Sequence, residues 1–273
     1  MYGEMSYRMK SFVVSFIVSL LLLTSCQWTS RSAMDSTTES PIEVERFDRL
    51  ESRYLLNGDY AAMQQMNTEY PTCTQLLFEK MLNLGKVTDA SVKHKFRTLF
   101  QDSVPQAILS AVDKEFTSMT DIDRQLDKAC NRLKHILPDF EVPEFYAQIG
   151  TLNQSIVVQD KLVGISLDKY LGVDFPPYET YFTPEQRLSM TRAYIVPDCL
   201  CFYLLSQYPT PDEEAPKEEQ DFHMGKIMWI VNKALGKRFF KNPDVSNVET
   251  YMQRNKHTSA KELLESVNLP AVQ

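Results

Sequence analysis

The chain has 273 residues, a formal net charge of −7, and a composition that is 43% hydrophobic and 11% aromatic. This apolar content is not that of a disordered chain, and the acidic balance does not suit a nucleic-acid-binding protein. Only 8 glycines occur, and no phosphate-binding loop of the P-loop or Rossmann type can be assembled from them, so nucleotide chemistry is not indicated.

The N-terminal segment has the pattern of a bacterial lipoprotein signal. Arg8 and Lys10 supply positive charge, and residues 11–23 form a largely apolar run that is too short to span the roughly 30 Å hydrocarbon layer of a membrane. Leu23 ends this run, Thr24 and Ser25 follow it, and Cys26 then stands at the position where lipoproteins are lipidated. We therefore expect residues 1–25 to be a cleaved signal peptide and Cys26 to carry palmitate-type acyl chains that hold the protein to a lipid bilayer.

Residues 26–42 are expected to form a lipidated tether. They are rich in Ser and Thr, and residues 27–42 would span roughly 20 to 24 Å as a flexible coil. No acidic cluster of the kind that marks surface export in some bacteria follows Cys26, so we expect an outer-membrane anchor that faces the periplasm. Cleavage would remove Glu4, Arg8 and Lys10, which together carry +1, and would change the net charge from −7 to −8.

Residues 43–273 are predicted to form a single globular domain that opens with helices over residues 43–137. The clearest helix covers residues 121–137, where apolar side chains recur at helical spacing, Asp121 lies in the first turn and Pro138 ends the pattern. Only residues 42–45 look strand-like in this part of the chain.

The apolar pattern then changes to a period of two over residues 143–168. Phe145, Ala147 and Ile149 alternate with polar residues, residues 155–158 form a short apolar run, and residues 163–167 alternate again. Turn residues separate the three runs. The sequence thus predicts an α+β fold, mostly α-helical, with a small three-stranded antiparallel sheet in the middle of the chain.

The C-terminal helices are predicted over residues 183–270, after a Pro/Tyr-rich loop at residues 173–182. Thr183 has the pattern of an N-cap, with Pro184 at the first helical position and Gln186 three residues on. Pro197 should kink or break this helix. Residues 209–220 are predicted to be an exposed acidic loop, and a core helix over residues 221–235 and two shorter helices are predicted to follow it.

Four cysteines remain in the predicted mature domain: Cys73, Cys130, Cys199 and Cys201. An oxidising periplasm would permit a disulfide such as Cys73 with Cys130, and buried free thiols are equally compatible with the sequence.

The ligands of a zinc peptidase are missing from the sequence. Such a site needs two histidines one helical turn apart and a glutamate beside the first. None of the 4 histidines has another within five residues, and none is followed by Glu; at His223, Met224 and Ile227 occupy the required positions. We therefore predict no metal and no other cofactor.

Carboxylates near a tyrosine-rich segment leave one candidate site open. Asp168, Tyr170 and Asp174 could line a groove that binds a ligand or performs carboxylate-based hydrolysis. Solvated turn residues are the simpler explanation of the same pattern.

Several motifs also agree in order with a known family. They are Arg46-Phe47-Asp48, the segment from Phe145 to Leu167, the run Leu167-Asp168-Lys169-Tyr170-Leu171-Gly172, Tyr194-Ile195-Val196-Pro197, and Gly225-Lys226. Together they resemble the gliding-motility-associated lipoprotein GldB family of Bacteroidota. The resemblance implies an envelope lipoprotein linked to gliding and type IX secretion, distantly like a metallopeptidase scaffold without zinc ligands.

Three classes of function therefore remain at this stage. The favoured one is a non-catalytic lipoprotein that acts through contacts with other envelope proteins. The alternatives are a periplasmic hydrolase, either carboxylate-based or similar to a degenerate metallopeptidase, and a periplasmic peptide-binding or glycan-binding lipoprotein.

Overall fold

Helices make up most of the chain that the computed structural model describes, which is residues 41–210 and 215–266. The predicted signal peptide, Cys26 and nearly all of the tether lie outside these residues, as does the end of the last predicted helix. The predicted fold class is confirmed, because the described chain is mostly α-helical and has one small three-stranded sheet near its middle.

The helices before the sheet follow one another closely, as predicted. They are α1 (Phe47–Asn57), α2 (Tyr60–Glu69), α3 (Pro71–Gln75, continued by a π-helical turn over Leu76–Met81), α4 (Val92–Leu99), α5 (Ser103–Glu115) and α6 (Thr120–Ile136). Helix α6 is the helix predicted at residues 121–137. Its apolar stripe is buried, and Asp121 and Lys134 lie in its first and last turns, where the helix dipole favours their charges.

The sheet contains β1 (Glu144–Gln148), β2 (Ile156–Gln159) and β3 (Leu162–Ser166). Its strand order is β1-β3-β2, with β1 parallel to β3 and β2 antiparallel to β3. The predicted antiparallel meander was therefore wrong in its topology, although its three strands are confirmed. Residues 149–155 do not form a hairpin but connect β1 to β2 at the far edge of the sheet, and buried carboxylates bind the backbone that follows β1.

A short segment before α1 closes the outer edge of β1. Glu45 forms an isolated parallel bridge with Tyr146, and its backbone exchanges hydrogen bonds of 2.9 and 2.8 Å with Phe145 and Ala147. The strand-like pattern at residues 42–45 thus reflects a single bridge, which leaves less of the β1 edge open to another strand.

The chain after the sheet differs from the prediction in two places. A 3₁₀ turn, Leu167–Lys169, leads to a further set of helices: α7 (Pro176–Tyr181), α8 (Pro184–Arg187), α9 (Ile195–Gln207), α10 (Lys217–Leu235), α11 (Pro243–Arg254) and α12 (Ala260–Glu265). Helix α7 lies within residues 173–182, which were predicted to be a loop. Its prolines are compatible with a helix because they lie in the first turn, where the backbone N–H that proline lacks would have no helical partner. The capping box at Thr183 is confirmed, but α8 ends at Arg187.

Pro197 does not kink or break a helix. It lies in the first turn of α9, where proline is tolerated for the same reason. Residues 217–220 of the predicted acidic loop are the first turn of α10, and residues 211–214 lie outside the described chain.

The interior of the protein is apolar with a few buried charges. Cys73, Cys130, Cys199 and Cys201 are buried free thiols, which decides between the two possibilities left open by the sequence. Buried polar and charged side chains include Asp48, Glu51, Gln148, Ser166, Asp168 and Lys226. Several of these surround the loop that follows β1.

Candidate functional site

The structure does not bring the three residues of the predicted groove together at the surface. Asp168 and Tyr170 are 0% and 1% exposed, whereas Asp174 is exposed. As they stand, Asp168 and Tyr170 cannot line an open groove, since their polar atoms are turned into the protein and bind other parts of it. Cys26, the predicted lipidation site, lies outside the described residues.

Asp168 binds the backbone of the loop at residues 149–153, which we call the β1 loop. Its carboxylate oxygens accept hydrogen bonds from the backbone N–H groups of Gly150 and Leu152, each at 2.7 Å. The parallel pairing explains this contact: Gln148 lies opposite Ser166, so residues two positions further along both chains meet at the same edge of the sheet.

Glu51 of α1 binds the same loop at its start. Its two carboxylate oxygens lie 3.1 and 3.2 Å from the backbone nitrogen of Ile149, which donates to them. Burial raises the pKa of both Glu51 and Asp168 above the ordinary range, while the backbone donors act in the opposite direction. Two buried carboxyl groups therefore hold the β1 loop.

The residues after Asp168 complete this support. The Lys169 ammonium donates to the carbonyl oxygen of Leu152 at 3.2 Å and lies 4.0 Å from the centre of the Phe182 ring. The Tyr170 hydroxyl donates to Asp198 at 2.8 Å. The most specific motif of the family resemblance, residues 167–172, is thus a structural element that supports the β1 loop.

Leu152 has a backbone conformation that leucine rarely adopts. Its φ is +65°, in the left-handed region, where a non-glycine residue costs on the order of 1 to 3 kcal/mol. Gly150 is needed nearby for a different reason, because a Cβ at this position would lie 3.2 and 3.3 Å from the Asp168 oxygens. The Leu152 N–H donates to the Asp168 carboxylate and the Leu152 carbonyl oxygen accepts from Lys169, and these two hydrogen bonds hold the strained conformation in place.

A cleft of 540 Å³ lies against the β1 loop. Its walls are formed by residues 151–153, by the start of α5 near Pro105, and by Tyr181 and Phe182. The Tyr181 side chain is 56% exposed, one of the largest apolar exposures in the described chain. The cleft combines a loop that buried carboxylates hold with an exposed aromatic ring, and aromatic residues are enriched at protein contact surfaces.

Sequence reasoning identified Asp168 but not its role, and it missed Glu51, Lys169 and Leu152. Glu51 could have been noticed, because it lies four residues after Phe47 and three before Tyr54, on the buried face of α1. The left-handed conformation of Leu152 has no signal in the sequence.

Histidine positions in the structure differ from those of a zinc site. His223 is buried in α10, and its Nε2 lies 2.8 Å from the carbonyl oxygen of Tyr208. Among residues 41–210 and 215–266, no three His, Cys, Asp or Glu side chains are grouped closely enough to hold a metal ion.

Comparison with known proteins matched the chain to a family model. Residues 29–238 match the family model described as gliding motility protein GldB. No curated protein and no solved structure matches the chain. The matched range starts shortly after Cys26 and includes the β1 loop, both of its carboxylates and the cleft.

Proposed function

The chain belongs to the GldB family of gliding-motility lipoproteins, and from this premise we propose that it is an envelope protein that acts through contacts with other proteins of the gliding and secretion machinery. The observation that carries the proposal is the family match over residues 29–238, and the β1 loop is the contact surface that fits it best. Outside the resemblance, no sequence motif identifies the partner.

Lipid anchoring through Cys26 forms the first part of the proposal. The signal pattern ends at Ser25, and a Ser/Thr-rich tether would place the domain within roughly 20 to 24 Å of the bilayer. None of the helices within residues 41–210 and 215–266 is long and apolar enough to cross a membrane. We place the anchor in the outer membrane, on its periplasmic face, with palmitate-type chains on Cys26.

Contact through the cleft beside the β1 loop forms the second part. Asp168 and Glu51 bind backbone N–H groups and are buried, so their carboxylates have no free path to a substrate. This arrangement supports a role in holding the loop more than it supports carboxylate-based hydrolysis. Thr151, Asn153 and Tyr181 remain available at the surface for a partner protein.

Site-specific photo-crosslinking in the native bacterium tests this contact. A photoreactive amino acid replaces the exposed Asn153, and a matched control replaces Lys256, which is exposed outside the cleft. We expect a discrete crosslinked protein from position 153 and none of the same mass from position 256. Identical products from both positions, or no product from position 153 at normal abundance, would refute contact through the cleft.

A further inference from the structure

Basic side chains gather at the place where helix α10 ends. Lys233, Lys237 and Arg238 line a depression of 310 Å³ there. Arg132 of α6 reaches the same place, because its Nη1 donates to a carbonyl oxygen in the last turn of α10 at 3.0 Å. Lys241 follows three residues after Arg238 and is exposed, as the other four are. We call these five residues the basic face, which shares no residue with the cleft beside the β1 loop.

Side-chain contacts hold the loop that carries part of the basic face. Gly236 ends α10 with a φ of +67°, and the Asn232 side chain binds the residues that follow. Its amide oxygen accepts from the backbone N–H groups of Phe239 and Phe240, each at 2.9 Å, and its nitrogen donates to the carbonyl oxygen of Phe240 at 2.9 Å. The basic side chains thus project from an ordered backbone, which lowers the entropic cost of binding through them.

The positive charge of the basic face is largely uncompensated. One acidic residue, Glu249, lines the depression, and its carboxylate lies 3.8 Å from the Arg238 guanidinium. Within residues 41–210 and 215–266, none of Lys233, Lys237 and Lys241 forms an ion pair. Five cations therefore stand beside one carboxylate, in a protein whose net charge is −7.

Aromatic rings lie beside two of these cations. The Lys233 ammonium is 4.9 Å from the centre of the Trp229 ring, and the Lys237 ammonium is 5.4 Å from the centre of the Phe239 ring. Both rings are partly exposed. Lysine and arginine together with tryptophan and phenylalanine are the residues that helices lying on anionic membranes present to the lipid.

The start of the described chain is bound to the same helix as the basic face. The Val44 N–H donates to Asp123 in the first turn of α6 at 3.0 Å, and Arg132 lies nine residues further along this helix. At 1.5 Å per residue, these two points are about 14 Å apart. Residues 27–42 would span roughly 20 to 24 Å as a coil, so a membrane that holds Cys26 is within reach of the basic face.

We propose that the basic face rests on the anionic headgroup surface of the membrane to which the tether is anchored. Its ammonium and guanidinium groups lie among the lipid phosphates, with Trp229 and Phe239 beside them at headgroup level. The inference rests on the proposed anchoring at Cys26: the anchor keeps the domain at the membrane, and the basic face decides which side of the domain meets it. Each Lys or Arg near an anionic surface adds to the attraction, which salt screens.

Fluorescence of Trp229 in protein coupled to vesicles tests this contact. The chain has 2 tryptophans, so Trp28→Phe leaves Trp229 as the sole emitting tryptophan. The chain from Cys26 onward is attached through the Cys26 thiol to a maleimide lipid, since the other four cysteines are buried and unreactive. The vesicles are phosphatidylcholine with or without phosphatidylglycerol, and both kinds contain a lipid with a nitroxide quencher on its headgroup.

Quenching of Trp229 should depend on the anionic lipid. We expect it to be about twofold stronger or more with phosphatidylglycerol, and to fall to the phosphatidylcholine level at about 0.5 M salt. Equal quenching in both kinds of vesicle would overturn the proposal, and it is the result expected if an acidic protein covers the basic face. Because the coupling is chemical, a failure of lipidation in cells, which Cys26→Ser tests, would leave this result unchanged.

Charge variants locate the contact. The triple variant Lys237→Gln, Arg238→Gln, Lys241→Gln should reduce quenching in the anionic vesicles to the level in phosphatidylcholine alone. Glu249→Gln should act in the opposite direction and strengthen quenching, because it removes the carboxylate of the depression. A triple variant that keeps the full quenching would refute a role of the basic face.

A matched control removes the same charge elsewhere on the protein. Lys80, Lys86 and Lys93 are exposed, and none of them lines the depression. The triple variant Lys80→Gln, Lys86→Gln, Lys93→Gln should be quenched like the parent protein. An equal loss of quenching in this control would show that net charge governs the contact, and would contradict the proposal.

Discussion

The Asp168 carboxylate lies 2.7 Å from the backbone nitrogen of Leu152, the residue whose φ is +65°. A buried anion thus binds the N–H of a strained residue at the edge of a cleft. Asp168, which the sequence offered as a candidate for catalysis, therefore has a structural role. The conformation of the β1 loop depends on its carboxylate.

Replacement of Asp168 by Asn should lower the free energy of unfolding by about 2 to 3 kcal/mol. The amide side chain can accept only through its oxygen, so one of the two loop N–H groups would face another donor. Urea unfolding followed by circular dichroism measures the change. Asp174→Asn, at an exposed aspartate, is the matched control and should remain within about 0.5 kcal/mol of the wild type. Equal stability of both variants would show that the loop does not depend on Asp168.

The pair of Tyr170 and Asp198 should make stability depend on pH. Burial raises the pKa of Asp198 to about 7, while the Tyr170 hydroxyl bond acts to lower it. An unfolded Asp is ionised above about pH 4, so the folded state holds an extra proton between about pH 4 and pH 7. The stability that this proton contributes is therefore greatest at the acidic end of this window and is lost as the pH rises through about 7.

Asp198→Asn isolates this effect, because it keeps an acceptor for Tyr170 but cannot titrate. The free energy of unfolding of the wild type, relative to Asp198→Asn, should rise by up to about 1.4 kcal/mol per pH unit as the pH falls from about 7 to about 5. Urea titrations of both proteins at about pH 5 and about pH 8 measure it. A difference that stays constant with pH would contradict the raised pKa.

Replacement of Gly225 by Ala should destabilise the contact between α10 and α11. A Cβ at this position would lie 2.6 Å from the Cβ and 3.0 Å from the backbone carbon of Asp244. Helix propensity alone would favour Ala by up to about 1 kcal/mol, but overpacking of this kind costs about 1 to 3 kcal/mol. We expect a lower melting temperature, measured by calorimetry. Ser110→Ala, at an exposed position in α5, should leave it nearly unchanged, and an equal or higher value for Gly225→Ala would disprove the close approach.

Membrane attachment should depend on Cys26. Cys26→Ser removes the thiol that we propose accepts the lipid, so the protein should move from the membrane fraction to the soluble fraction of fractionated cells. Ser30→Ala, in the tether, should leave it in the membrane fraction. Retention of the folded Cys26→Ser protein in membranes would mean that another feature of the chain provides the anchor.

The sequence predicted the elements of this fold better than their arrangement. Local signals are strong for α6, with its apolar stripe, and for the capping box at Thr183, and both are confirmed. The order of the strands depends on the contacts of Glu51 and Asp168 with the loop after β1, which join residues far apart in the chain. Alternating apolar residues look the same in parallel and antiparallel strands, so the pattern could not reveal the strand order or these contacts.

The same ambiguity between parallel and antiparallel strands explains why the sequence predicted a groove around Asp168. In an antiparallel meander Asp168 would follow an edge strand and could face solvent, as the groove hypothesis required. In the observed parallel pairing it follows the central strand, next to the end of β1, and is buried there. The residue was recognised from the sequence, while its role required the topology.

Complementation of a deletion strain tests the central claim most directly. The double variant Thr151→Arg, Asn153→Arg places bulky charge at the cleft without touching Asp168, and Asp174→Asn serves as the control. We predict that the double variant reaches normal abundance in the membrane fraction but loses type IX secretion or gliding, whereas the control restores both. Full activity of the double variant would contradict a role of the β1 loop in binding a partner protein.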